Sequence, residues 1–226
     1  MERWIKGVVL TLVLASMIVS NKFINLGRFQ GVLGMLELII LLMAVFRFSG
    51  YSREELGIGG EFSCIKHVLF PFVFFILPLG VVFSVPHNSI SVKRFVLYFV
   101  NFLIIAGLWE ELVFRGLLFA SLEERFGDGV ALVGNSAIHW LFHFAVGLNI
   151  SQFIAALILS SYRLAFRRIE PLIFVHAFWD TIFVSLTPRF VGSIALPVLV
   201  LPLLGALVSI VIFLSSKNSS SRLKTA

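Results

Sequence analysis

The stretch LIIAGLWEELVFRGLL, residues 103–118, decides how this chain is read. It is apolar on both sides of its centre, yet it holds three charged side chains, Glu110, Glu111 and Arg115. A charge in the middle of a membrane helix costs about 2.5–3.5 kcal/mol on insertion scales, so it persists with a partner or with a task. The spacing supplies a partner for two of them. Glu111 precedes Arg115 by four residues, which puts both on one helix face in the favourable order. Glu110 is rotated about 100° around the helix from Glu111 and lies off that face. It is the carboxylate available for chemistry.

Working outward, the same texture covers the chain. Of 226 residues, 59% are hydrophobic and 13% charged, and the mean hydropathy is +1.02. A soluble domain carries about a quarter charged residues. Apolar blocks fall at 7–20, 31–48, 67–85, 95–118, 130–147, 150–166, 171–187 and 190–214. Backbone groups in lipid must be satisfied within the segment, so these blocks are expected to be helices, and the alternation a membrane barrel needs is absent. The expected fold is all-α, a polytopic membrane protein with about eight transmembrane helices around a polar cavity, in a single domain over 1–214. Residues 49–66 read as a loop with an interfacial helical turn. Residues 215–226, SSKNSSSRLKTA, read as a disordered basic tail. The first block is short and follows Arg3 and Lys6. It reads as a retained helix, with a cleaved signal peptide as the other reading.

The net charge of +6 and isoelectric point near 9.9 do not indicate nucleic acid, because the basic residues are scattered in the gaps between blocks. They act as topology determinants. Twelve lie at the N-terminus, the second, fourth and sixth gaps and the tail. Five (Lys22, Arg28, Lys93, Arg94, Arg189) lie on the other side, and Arg115 within a span completes the 18. The positive-inside rule makes both termini cytoplasmic, in what we take to be a prokaryotic plasma membrane. The lone Cys64 excludes an internal disulfide.

Two further stretches carry polar groups inside apolar blocks: NSAIHWLFH at 135–143 and HAFWD at 176–180. Each holds an i,i+4 pair, His139 with His143 and His176 with Asp180, and Asn135 shares the stripe of the first. Such groups face a common wet cavity more economically than lipid. A carboxylate and a histidine around one water make a general base, and a second histidine with a polar partner can stabilise an oxyanion. The pattern fits a hydrolytic site; a polar pathway for ions or substrate would collect the same residues.

Glu-Glu-x-x-x-Arg, a histidine in a later helix, and His-x-x-x-Asn/Asp near the end resemble the CPBP family of intramembrane proteases, which process CAAX proteins and bacteriocins. The resemblance covers about 91–187. It implies an endopeptidase acting on a membrane-associated protein or peptide. Glu110 and His143 would activate water, Glu111 and Arg115 would support them, and His176 and Asp180 would stabilise the oxyanion. It implies no metal cofactor. The chain departs from the family's Phe-x-x-x-His by carrying His139 in place of Phe, as a tolerated substitution or as an added cavity-lining group beside Asn135. The rival within the same fold holds Zn²⁺ through Glu110, His143 and His176. The rival from another class is a transporter or immunity protein that only binds.

The remaining polar residues have plainer readings. Glu37 is expected against a neighbouring helix, His67 and His87 at the interface, and Glu54, Glu55, Glu123 and Glu124 as solvated loop charges. Asn101 and Arg163 lie in or near spans. The 25 phenylalanines are packing and lipid-facing residues.

Overall fold

The structure is a computed structural model that describes residues 1–21, 23, 30–84, 91–185 and 195–223. His87 and the charges Lys22, Arg28, Arg189 and Lys224 lie outside the described residues. Among the described residues the chain forms helices and no strands. We label the helical segments α1 (Arg3–Asn21), α2 (30–48), α3 (64–84), α4 (Val92–Phe126), α5 (128–146), α6 (Ile150–Phe166), α7 (Glu170–Ser185) and α8 (Ala195–Leu223). The protein is an all-α polytopic membrane protein. Arg3–Ser20, Val92–Phe126 and Val198–Ser219 are long and apolar enough to cross a bilayer, and Ile65–Gly80 and Ile150–Phe166 are shorter apolar helices.

Parts of α2 and α3 wind more widely or more tightly than an α-helix, and α4 and α8 also differ from the expectation. Within α4, Leu103–Leu118 winds more widely than an α-helix, a geometry usually seen in short pieces at functional sites. The last helix continues through the polar stretch from Ser215 to Leu223, where composition suggested disorder. Propagating an existing helix costs far less than starting one, and Ser216 and Ser219 turn their hydroxyls back onto Phe213 and Ser215 carbonyls.

The chain divides into two compact units, Met1–Gly59 with Trp109–Ser160, and Gly60–Leu108 with Ser161–Ala226. In the first, α1 packs on the end of α4 and on α5. Small residues permit this: a Cβ on Gly7 would lie 2.0 Å from Ser121 Oγ and 3.1 Å from the Tyr51 ring, while Thr11, Leu14 and Ala15 are buried. Close approach through small residues is how membrane helices associate, because lipid removes the hydrophobic drive between them. At the near end of α1, Arg3 pairs with Glu55 at 2.9 Å and Glu124 at 3.0 Å. Its guanidinium lies 4.5 Å from the Tyr51 ring centre. Tyr51 donates to Glu124 at 2.7 Å, and burial, foremost, pushes its phenol up to about 12. Between α2 and α3, Ser52 and Glu55 cap each other's backbone amides at 2.8 and 3.2 Å, the reciprocal capping box that starts a helical turn.

In the second unit, the first half of α4 lies on α7, so closely that a Cβ on Gly107 would be 2.5 Å from the Ile173 carbonyl oxygen. Helix α8 packs on α3, with Gly205 against Phe74. Phe70, Tyr162 and Phe166 stack edge-on and tilted at 4.6–6.0 Å. Trp179 donates to the Phe75 carbonyl at 2.7 Å, and Arg168 clasps Glu170 and the carbonyls of Gly60 and Glu61.

Candidate active site

The second half of α4 and α5, both in the first unit, meet at Gly127, whose φ of 82° is the left-handed conformation that glycine adopts without a Cβ penalty. The sharp turn lets the wide part of α4 face α5. Glu110 and Glu111 then take different partners, as their different faces require. Glu111 accepts from Arg115 at 3.0 Å, and both side chains are fully buried. Arg115 reaches on to the Ala156 carbonyl at 3.5 Å. A buried, paired charge of this kind holds a helix in place; stripping either partner would leave the other uncompensated.

Glu110 points to α5, where its Oε2 lies 2.9 Å from His139 Nε2. His143 is one turn on. Its Nδ1 is 3.0 Å from the His139 carbonyl oxygen, and because a carbonyl only accepts, Nδ1 carries the hydrogen. In the neutral ring the lone pair is therefore on Nε2. The two imidazoles meet edge-on at 4.8 Å, and the Phe114 ring lies 4.4 Å from that of His139. One ligand-type atom from each of Glu110, His139 and His143 lies within 4.8 Å of the others.

These three residues line a cavity of about 40 Å³ with Phe114, Phe142 and, from α1, Ala15, Ile18 and Val19. One water needs about 10–15 Å³ on this measure, so the cavity has room for two or three. A carboxylate, a histidine with a defined lone pair and space for water therefore coexist within one unit. The sequence reading assigned the first three spans no motif, and it missed α1 as a wall of this cavity. The signal was present in the i,i+4 run Gly7, Thr11, Ala15, a small-residue stripe that marks a packing face.

The other sequence-derived candidates have partners of their own. Asn135 is fully buried and donates to Ser160 at 2.9 Å, which Ser136 also meets at 3.2 Å; it joins α5 to α6. His176 and Asp180 belong to the second unit, with Nε2 and Oδ2 4.0 Å apart on α7. His67 is buried and accepts from the Ser63 amide at 2.8 Å, a local contact at the start of α3. Glu124, read as a solvated charge, is part of the Arg3 cluster.

Helices that gather a carboxylate and two histidines around a water-sized space define a class, membrane proteins with a polar site among their helices. Comparison adds a likeness: residues 92–182, less than half of the chain, match the family model described as type II CAAX prenyl endopeptidase Rce1-like, and over that stretch the chain is similar to the CPBP group of CAAX proteases. The chain is an integral membrane protein, and its matched segment is similar to peptidases of the CAAX-protease type. No curated protein and no solved structure matches the chain closely enough for comparison.

Proposed function

We propose that the protein is an intramembrane endopeptidase in which Glu110 and His143 activate a water against a peptide bond of a membrane-associated protein or peptide. The observation that carries this reading is the cavity itself, water-sized and bounded by Glu110, His139 and His143. Water held there gives its proton to the Glu110 carboxylate as its oxygen attacks the scissile carbonyl. The same proton then passes to the departing amine, which makes the carboxylate first base and then acid. His143 Nε2 accepts a hydrogen bond from the water and orients it. His139, on the Glu110 carboxylate, fixes which oxygen faces the water. For His176 and Asp180 we keep the role that the third motif implies, stabilisation of the oxyanion, with His176 as the donor and Asp180 orienting its ring. The chemistry as written needs no metal ion.

The test is Glu110→Gln, nearly isosteric but unable to take a proton. Cleavage of a membrane-anchored reporter peptide should fall by about 10²–10⁴-fold while the protein inserts in equal amount. Substrates come from comparing protein termini in cells with and without the gene, and those termini should persist uncut with Glu110→Gln. A Glu110→Gln protein that cleaves normally would remove Glu110 from the chemistry.

A further inference from the structure

His139 stands where the family pattern has Phe, and its surroundings are those of a ligand. We propose that Glu110, His139 and His143 form a site for a divalent transition-metal ion of the zinc class, and that its occupation switches off the water-activating pair. The inhibitory consequence rests on the proposed function; the binding does not.

The donor set is one carboxylate and two imidazoles, which suits zinc and its neighbours and not calcium or magnesium. The two histidines are four residues apart on α5, so both rings project from one face, and Glu110 comes from α4. The donor atoms already lie within 4.8 Å of one another. Zinc held at about 2.0–2.1 Å from each ligand separates neighbouring ligands by about 3.3 Å, so rotations of roughly an ångström close the set. The Glu110–His139 contact of 2.9 Å opens slightly as the ion takes the hydrogen's place, and the His139 proton moves to Nδ1 with no net change of charge on the ring. His143 is already oriented: its Nδ1–H donates to the His139 carbonyl, the outer contact that metal-binding histidines usually have, and Nε2 is left for the ion. Three protein ligands leave a fourth position, and the cavity of about 40 Å³ has room for its water. Once the ion holds the Glu110 oxygens and His143 Nε2, neither can accept the proton that hydrolysis must move. A Phe at 139 would leave two ligands and no such site.

The experiment uses the full chain, purified in bilayer discs and stripped with chelator. Co²⁺ is titrated in and followed by its visible absorption bands, then displaced with Zn²⁺, while reporter cleavage is measured over the same Zn²⁺ series. We expect about one Co²⁺ per chain, displaced by Zn²⁺, and cleavage that falls with the same midpoint. Both His139→Phe and His139→Gln should weaken Co²⁺ binding by about tenfold or more, the least expected when even an outer contact is lost, and should shift the inhibition midpoint with it. Absence of Co²⁺ binding, or binding unchanged in both variants, would overturn the site. Cleavage that requires Zn²⁺ would overturn both the inhibition and the metal-free chemistry, while leaving the ligand set. A chain that binds Co²⁺ through His139 but cleaves nothing would keep the site and remove the proposed function.

Discussion

Glu110 and Glu111 are neighbours in sequence with different partners, and the difference is one of direction. Glu111 spends its charge on Arg115 within α4, at full burial, whereas Glu110 faces His139 across to α5. Removing one member of a buried pair costs about 3–5 kcal/mol. Glu111→Leu and Arg115→Leu should therefore each lower the amount of folded protein and its thermal midpoint in detergent. The joint replacement should cost less than the two single costs added together, and strictly additive costs would show that the pair is not coupled. This division was legible before any coordinates, because i,i+4 spacing assigns Arg115 to Glu111 and leaves Glu110 on another face. His139 was less legible. Its sequence context made it a tolerated substitution or an added polar group, and only the distance to Glu110 separates those readings. Asn135 shared its stripe, but a face on a helix does not say which neighbour fills it; here Ser160 does.

At the scale of elements, apolar blocks foretold helices well and their pairings poorly. Most block boundaries lie within a few residues of the helix ends, since lipid leaves a spanning backbone no other solution, but α4 runs on to Phe126 and α8 to Leu223, well past blocks ending at 118 and 214. Pairings depend on where backbones can approach, and that is written in single glycines that hydropathy ignores. Gly7 is such a point, with Ser121 and Tyr51 against it, whereas Gly34 on α2 has nothing within 4 Å. Gly7→Leu should force α1 off the end of α4, at a cost of about 1–3 kcal/mol for overpacking. It should lower cleavage as well as stability, because the same helix lines the cavity. Gly34→Leu should be silent in both. Thermal unfolding and reporter cleavage on the two variants check this, and a silent Gly7→Leu would detach α1 from the site. The wide winding of α4 had no signal in the sequence, since the residues that adopt it are ordinary helix formers.

For the whole molecule, the sequence argument from loop charges requires the N-terminus, the α2–α3 loop and the α4–α5 turn to share one face of the membrane. In the first unit Arg3, Glu55 and Glu124 come from those three places and meet within 3.0 Å. In the second unit Arg168, before α7, reaches Gly60 and Glu61, before α3, as the same topology demands. With the excess of basic residues on that face, we expect both termini in the cytoplasm. Reporter fusions after Ala226 and before Met1 test it, and an external signal from either would reverse the orientation. The Arg3 cluster also has a meaning for selectivity. It fastens α1 beside a cavity with room for a few waters and too small for a peptide, with Ile18 and Val19 in its wall. On the proposed function, we expect a polypeptide to reach Glu110 only when that wall moves aside. Neighbours in the same bilayer would then be spared when they lack the means to part the helices, whatever their sequence, and a substrate would be distinguished by what it can open before anything is cut.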